Sequence, residues 1–422
     1  MSHVSIVGAG PAGLMAADVL SAAGVAVSIH DRMPSPGRKF LMAGRGGLNL
    51  THSEPLEKFL ARYSGSIGLA AMIGDFPPDR LRELAHDLGE ETFVGTSGRV
   101  FPKRFKASPL LRAWLARLRE RGVTFHMRET FVGFGGGQPV VADTQGARRT
   151  LAGDATVLAL GGASWPRLGS DGGWAELLRE SGVDVAPLRP ANCGVTIRWS
   201  DTTRERLAGA PLKRASFSFG GRRMRGEAVV TRNGLEGGAI YALASAIRDA
   251  LDRGEDAKLA IDLAPDMAVE EAARRLSQGR PGDSRANMLR KRLSLSPTAL
   301  AVLRESEGGP LPTDLMQLAA RVKNVSLAIT GVAGLDRAIS TAGGIRADAV
   351  DEHLMLRALP GTFVAGEMLD WDAPTGGYLL QGCFASGVAA AKGVLTWLVP
   401  APHPVANLRF ADIPLPASGR GE

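Results

Sequence analysis

Six consecutive residues near the N-terminus have the types and spacing of a nucleotide-binding turn: Gly8, Ala9, Gly10, Pro11, Ala12 and Gly13. In such a turn the first glycine permits a tight bend, the second lets the backbone approach a pyrophosphate, and the third allows close packing of helix on strand. The pyrophosphate faces a helix N-terminus, where free N–H groups and the helix dipole favour an anion. Asp31 ends the next apolar run, where a carboxylate can accept hydrogen bonds from ribose hydroxyls. The pattern predicts a dinucleotide site, and the alternative of a purely structural turn fits it less well.

The elements that must position this turn are visible in the apolar pattern. Residues 4–7 predict a strand, residues 12–23 a helix, and residues 25–29 a second strand. Further elements are strands at 123–125, 156–160, 194–199, 214–219 and 362–365, and helices at 81–88, 110–118 and 381–398. Helical patterns are also predicted between residues 238 and 320. This alternation predicts an α/β fold with a Rossmann-like domain.

Two further segments carry groups that suit a cofactor. The segment 37–51 (GRKFLMAGRGGLNLT) is rich in glycine, offers the side chains of Asn49 and Thr51 for hydrogen bonds, and begins with two cations that could offset phosphate charge. The segment 366–381 (GEMLDWDAPTGGYLLQ) follows a predicted strand and contains Asp370. Its two adjacent glycines precede a long apolar helix, whose N-terminal dipole would stabilise negative charge. The alternatives are a surface turn and a simple helix cap.

These segments resemble blocks of the HI0933-like flavoprotein family, together with residues 341–345 (TAGGI) and 157–163, and they occur in the family's order. The resemblance implies FAD as the cofactor, with Asp370 binding ribityl or ribose hydroxyls. It also implies a three-layer Rossmann-like FAD-binding domain of the glutathione-reductase type, with an inserted β-rich and helical region. Leu48 stands where relatives have cysteine, the loop arginine sits earlier, at Arg45, and Arg232 stands where they have histidine. These departures indicate a diverged subgroup.

The predicted cofactor-binding residues beyond the first turn are Asp31, Arg32, Arg38, Lys39, Gly44, Gly46, Gly47, Asn49, Thr51, Phe131, Gly161, Gly366, Glu367, Asp370, Gly376, Gly377 and Tyr378. The sequence assigns no catalytic residue. His52, Tyr241 and Tyr378 are possible proton donors. The alternative for each is a structural side chain whose polar atoms bind protein or solvent and take no part in the reaction. Cys383 is more typical of a small buried hydrophobe than of a redox group. The histidine spacing predicts no metal site.

The predicted organisation has four segments. Residues 1–188 form the first part of the FAD-binding domain, and residues 338–398 form its second part. Residues 189–337 form the inserted, substrate-facing region, and residues 399–422 are a loosely ordered tail.

Composition and charge indicate where the protein is expected to act and which partners it could bind. No apolar run reaches the roughly eighteen residues of a spanning helix, so we expect no membrane association. The two cysteines, far apart, suit a reducing cytoplasm. The net charge is +7, and basic residues cluster at 103–106, 222–225 and 290–292. These clusters are typical of solvent-exposed surfaces, and the alternative is a surface that binds RNA. Nothing in the sequence indicates the oligomeric state.

The expected function is hydride transfer between the flavin and an organic substrate. The sequence contains no second strand–GxGxxG–helix unit, so NAD(P)H would bind transiently as the reductant. The leading expectation is an NAD(P)H-using reductase of a small molecule. The family resemblance leaves two alternatives, reduction of uridine in ribosomal RNA and amine oxidation. The replacement of the family's cysteine by Leu48 leaves a third, a flavin-binding redox sensor that is not an enzyme.

Overall fold

A computed structural model describes residues 2–44, 46–280 and 282–399. The chain divides into two compact units, the first made of Met1–Arg189 with Ser340–Glu422 and the second of Pro190–Ile339. The predicted insertion, residues 189–337, differs from the second unit by one residue at its start and two at its end. Its role in facing the substrate stays a prediction. The predicted tail lies, apart from Val399, outside the described residues.

The strands of the described residues are, in chain order, β1 His3–Val7, β2 Ala26–Asp31, β3 Thr51–His52, β4 Ser64–Gly65, β5 Thr92–Val94, β6 Arg99–Pro102, β7 Thr124–Met127, β8 Thr130–Gly135, β9 Gln138–Ala142, β10 Arg148–Thr150, β11 Ala155–Leu158, β12 Val185–Ala191, β13 Val195–Ile197, β14 Pro211–Phe219, β15 Arg222–Thr231, β16 Gly234–Glu236, β17 Ala257–Asp262, β18 Val325–Val332, β19 Ser340–Ile345, β20 Thr362–Val364 and β21 Trp371–Asp372.

The helices are α1 Pro11–Ala22, α2 Arg38–Ala43, α3 Leu56–Leu60, α4 Leu69–Asp75, α5 Pro78–Asp87, α6 Ala107–Glu120, α7 Trp174–Glu180, α8 Asp201–Arg206, α9 Gly238–Asp252, α10 Val269–Ser277, α11 Arg285–Leu293, α12 Pro297–Arg304, α13 Leu315–Lys323 and α14 Tyr378–Leu398. Short 3-10 turns lie at Pro166–Leu168, Ala347–Ala349 and Gly366–Met368.

A five-stranded parallel sheet organises the first unit, in the order β20-β11-β1-β2-β7. Its strands are short, and Val4 and Ile6 of β1 are fully buried. Parallel strands that are buried in this way need cover on their faces. Helices α1 and α14 pack against the sheet and against each other. They approach closely at Gly387, where an added Cβ would lie 2.5 Å from the carbonyl oxygen of Ala12.

The second unit is built around a closed barrel of strand order β13-β16-β15-β14-β17-β18. Closure removes the free strand edges that an open sheet would expose. Phe217, Leu235 and Leu259 are fully buried in its core. The helices α8 to α13 belong to this unit, and apolar residues of α9 to α13 complete the core.

The main predicted elements of the first unit are confirmed, with shifts of a few residues at their ends. The helical patterns expected between residues 238 and 320 are interrupted by strand β17, because its alternation of buried and exposed residues suits a barrel wall. The expectation that no segment is long enough to span a membrane is wrong for α14 by length and composition, with a mean hydropathy of 1.2. In its most apolar stretch, 61 % of the residues are buried within the protein, and the helix packs on α1, as a core helix does.

Candidate functional site

The predicted nucleotide turn lies between β1 and α1, at the carboxyl edge of the parallel sheet. An added Cβ at Gly8 would lie 2.1 Å from the carbonyl oxygen of Ala159, and one at Gly13 would lie 2.0 Å from that of Gly8. At Gly10, by contrast, an added Cβ would meet no described atom within 4 Å. Two glycines therefore allow close packing, while the middle one faces open space. Pro11 begins the helix, where its missing N–H costs nothing, and no side chain caps α1.

Asp31 is fixed beside this turn at the end of β2. Its Oδ2 accepts a hydrogen bond of 2.7 Å from Ala9 N–H, and its Oδ1 accepts one of 2.7 Å from Met33 N–H. Burial raises the pKa of Asp31, while these two backbone donors oppose the rise. The carboxylate is thus held next to the turn, and each oxygen keeps a lone pair for a further donor.

The glycine-rich loop that follows α2 ends in two polar side chains without partners. Asn49 Oδ1 and Thr51 Oγ1 are buried, and neither has a hydrogen-bond partner among the described residues. A buried polar atom left unpaired costs about 1–3 kcal/mol. The N-terminus of α14 lies directly against Thr51, since an added Cβ at Gly377 would be 2.5 Å from Thr51 Cα. Asn49 is two residues away along the same loop, so both unpaired acceptors belong to one loop of the first unit.

A polar cluster joins the ends of several strands near Glu367. Its Oε2 accepts a hydrogen bond of 2.6 Å from Lys39 Nζ, and its Oε1 accepts one of 2.9 Å from Thr341 N–H. Lys39 Nζ also donates to Ser164 Oγ at 2.7 Å. An added Cβ at Gly162 would lie 3.0 Å from the Glu367 carboxyl carbon, so Glu367 stands beside the carboxyl end of β11. Lys39, predicted to offset phosphate, is paired with a carboxylate instead.

The first residue of α14, Tyr378, is held by a second network. Its hydroxyl donates to Glu54, whose two oxygens also receive hydrogen bonds of 3.1 and 2.9 Å from Arg62. Burial and this carboxylate raise the pKa of Tyr378. His52 stacks on the Tyr378 ring, donates from Nε2 to the carbonyl of Ser97 at 2.9 Å, and accepts from Glu54 N–H at 3.1 Å. Both nitrogens of His52 are thus engaged, which favours its structural interpretation.

The remaining predicted residues are placed less centrally. Asp370 accepts a hydrogen bond of 2.8 Å from Ser66, and Arg32 forms an ion pair with Asp171. Phe131 is buried and packs edge-on against Phe134. Arg38 is exposed at the start of α2. The predicted glycines are described by the residue that an added Cβ would meet: Ala107 at Gly44, Phe105 at Gly47, Ser170 at Gly161, Ala12 at Gly366, Arg99 at Gly376, and no described atom within 4 Å at Gly46. Arg45 lies outside the described residues.

Two further groups of side chains are described by their surroundings. Burial raises the pKa of the Cys383 thiol to about 12, which favours a structural residue over a redox group. Ligand atoms of His30, His126 and Glu129 lie within 4.8 Å of one another, which the sequence spacing did not indicate. The Arg149 guanidinium donates to Glu129 at 2.7 Å and contacts His30 Nδ1 at 3.2 Å. These contacts give Glu129 and His30 partners within the protein, and the prediction of no metal site stays a prediction.

FAD fits the residues present in the first unit. The open space at Gly10 and the uncapped N-terminus of α1 suit a pyrophosphate. The unpaired oxygens of Asn49 and Thr51 are acceptors that suit the N–H groups of a flavin ring or the hydroxyls of a ribityl chain. The fold and these features define a Rossmann-type dinucleotide-binding protein.

The chain belongs to the HI0933-like family, because residues 2–393 match the model of the HI0933-like protein Rossmann domain. It is an FAD-dependent oxidoreductase. It is 25 % identical over 411 residues to a 3-dehydro-bile acid delta(4,6)-reductase of Clostridium scindens, covering 93 % of this chain and 98 % of the relative. It is 26 % identical over 417 residues to a ribosomal RNA dihydrouridine synthase of Haemophilus influenzae, covering 92 % and 97 %.

Among solved structures, the chain is similar to a 3-ketosteroid-delta4-(5alpha)-dehydrogenase from Rhodococcus jostii, with a TM-score of 0.47 and 17 % identity. The match covers 94 % of this chain and 97 % of that one.

Three polar residues of the site were not assigned from the sequence: Ser164, Thr341 and Glu54. Ser164 follows the glycines after β11. Its position just beyond the carboxyl end of a strand could have indicated a place in the site. Thr341 lies in the segment 341–345 that resembles the family, although no role was given to it. No sequence pattern indicates Glu54, since only folding brings it to the start of α14.

Proposed function

We propose that this protein is an NAD(P)H-dependent FAD reductase of a small organic acceptor, acting in the cytoplasm. When bound, FAD supplies the hydride chemistry that links a nicotinamide to such an acceptor. The observation that carries the proposal is the pair of buried, unpaired oxygens on Asn49 and Thr51 beside the N-terminus of α14. Polar atoms left unpaired inside a protein mark a place where a ligand completes the hydrogen bonding.

The residues that would hold FAD divide by the part of the cofactor they suit. The turn at Gly10 and the start of α1 would bind the pyrophosphate, and Asp31 would accept the ribose hydroxyls. Glu367, rather than Asp370, stands beside the β11 edge and suits the ribityl hydroxyls. Arg38, exposed at the start of α2, would offset phosphate charge. The positive end of the α14 dipole would stabilise negative charge on the ring.

The small-molecule acceptor is favoured by the relative named a bile acid reductase, which is similar over nearly its whole length. The test is the visible spectrum of the purified protein, recorded without oxygen before and after addition of NADPH or NADH. We expect bound flavin to bleach and to recover on addition of a small conjugated enone. A flavin that ignores both nicotinamides would contradict the reductase and favour an amine oxidase or a sensor. Failure to bind FAD at all would refute the proposal.

A second candidate, reduction of uridine in ribosomal RNA, is favoured by a basic hairpin in the second unit. Lys213, Arg214 and Arg222 are exposed on β14 and β15, and none has an ion-pair partner among the described residues. Arg223 and Arg225 of the same hairpin are paired with Asp262 and Asp266. Two relatives are named ribosomal RNA dihydrouridine synthases. Unpaired arginines and lysines on one hairpin suit a phosphate backbone.

The RNA candidate is tested with the double variant Lys213→Ala, Arg222→Ala and ribosomal RNA. If RNA is the substrate, binding weakens and the slope of log affinity against log salt falls by about 0.7 for each phosphate that the variant no longer neutralises. The matched control is Lys291→Ala, since that exposed residue of α11 is already paired with Asp283. Equal RNA binding by all three proteins would remove this candidate.

A further inference from the structure

Three phenylalanines form an aromatic cluster in the first unit, in which Phe105 is exposed and Phe93 and Phe101 are half-buried. Phe93 and Phe101 face each other across β5 and β6, with ring centroids 5.8 Å apart. Phe105 completes the triangle at 5.1 Å from Phe93 and 5.4 Å from Phe101. Phe105 is 49 % exposed. We call Phe93, Phe101 and Phe105 the phenylalanine surface.

This surface is held in an unusual conformation for bulky residues. Phe105 has φ of +58°, in the left-handed region that side chains with a Cβ rarely adopt. Such backbone strain persists where the surroundings fix it. Apolar side chains that reach the surface together commonly mark a place of binding. The phenylalanine surface combines this strained residue with two half-buried rings that pack against it.

The phenylalanine surface adjoins the loop that carries the unpaired acceptors. Leu48 N–H donates to the carbonyl of Phe105 at 3.1 Å, and an added Cβ at Gly47 would lie 3.0 Å from the Phe105 ring. Asn49 is the next residue along the loop. The surface therefore lies at the edge of the proposed flavin site, within the same unit of the chain.

The charges around the surface limit what it can bind. Lys103 pairs with Glu91, and Arg104 pairs with Glu90 at 3.4 Å, so two of the three cations of segment 103–106 are offset. Lys106, next to Phe105, is exposed and has no ion-pair partner among the described residues. Arg99, two residues before Phe101 in β6, is likewise exposed and without an ion-pair partner among the described residues, so the surroundings of the surface suit an acidic group beside an apolar body.

We propose that the phenylalanine surface binds the flat apolar ring system of the acceptor, with Lys106 pairing with a single acidic substituent. This inference rests on the proposed reductase function and assigns a substrate class to its site. Aromatic side chains give large contact area and favour stacked or edge-on ring geometry. The acceptor would thus be oriented by its rings before any chemistry.

The test uses the FAD-loaded protein and 8-anilino-1-naphthalenesulfonate, a flat aromatic anion whose fluorescence reports binding. Phe105→Ala should weaken its binding about fivefold, and Lys106→Ala should weaken it about twofold. Met316→Ala is the matched control, since Met316 is a 48 % exposed apolar residue of the second unit. A control that behaves as the unchanged protein, beside a weakened Phe105→Ala, supports the inference.

Two results would overturn it. One is dye binding that Phe105→Ala and Phe101→Ala leave unchanged. The other is a change of oligomeric state in Phe105→Ala, seen by light scattering, since the surface would then bind a second copy of the chain. The proposed function is tested separately by NADPH bleaching. Bleaching with dye binding indifferent to Phe105 refutes the surface alone, whereas Phe105-dependent dye binding without bleaching refutes the reductase alone.

Discussion

Gly377 packs so closely on Thr51 that an added Cβ would lie 2.5 Å from Thr51 Cα and 2.6 Å from its carbonyl oxygen. The contact joins the N-terminus of α14 to the end of the glycine-rich loop, two segments more than three hundred residues apart in the sequence. It places a helix dipole beside buried acceptors that no described residue satisfies. The proposed flavin site depends on this contact.

Gly377→Ala should reduce FAD binding and lower the free energy of unfolding. The left-handed φ of +98° alone would cost roughly 1–2 kcal/mol, and the clash with Thr51 backbone adds to it. Gly89→Ala is the control, because Gly89 also has a left-handed φ, of +78°, but open space around its Cβ position. Urea unfolding and the flavin-to-protein absorbance ratio measure both effects. Equal losses in the two variants would show that the contact is unimportant.

Thr51→Val should leave the FAD-free protein as stable as before, or more stable, while weakening FAD binding about tenfold. Valine keeps the shape of threonine but removes a buried oxygen that lacks a partner, and such removal relieves a cost of about 1–3 kcal/mol. Thr130→Val, at an exposed position of β8, is the control. Thermal unfolding of the apoprotein and an FAD titration measure the two quantities. A destabilised apoprotein with normal FAD affinity would contradict the assignment.

Lys39 and Glu367 should be energetically coupled. Glu367 is mostly buried, so Lys39→Met leaves a carboxylate without its charged donor. We expect Lys39→Met and Glu367→Gln each to lower the free energy of unfolding, and the double variant to lose less than their sum by about 1 kcal/mol or more. Urea unfolding of the four proteins gives this coupling. Simple additivity would mean that the pair contributes nothing.

Glu54 should contribute stability that disappears in acid. The hydrogen bonds from Arg62 hold the pKa of Glu54 below its ordinary 4.5, although burial opposes them. Its stabilising effect is therefore present above pH 4.5 and is lost as the pH falls below that value. Glu54→Gln should lower stability at pH 7 and should show a shallower loss between about pH 5 and 3. The exposed Glu57→Gln serves as control, and parallel pH curves for Glu54→Gln and the unchanged protein would contradict the prediction.

Local patterns in the sequence were enough for the nucleotide turn and the sheet that supports it. The strand, glycine turn, helix and acid fall within the first 31 residues, so short-range spacing encodes them, and the fold class follows. The glycine-rich loop and the late helix were also recognisable from their own residues. Each of these features is contained in a continuous stretch of chain.

Tertiary structure alone decided which polar groups meet. Lys39 suited a phosphate by its place in the loop, yet folding pairs it with Glu367. Tyr378 suited the flavin, yet its hydroxyl reaches Glu54. The phenylalanine surface depends on the pairing of β5 with β6 and on the backbone of Phe105. Such contacts depend on how distant segments pack, and side-chain partners separated by hundreds of residues leave no periodic signal in a single sequence.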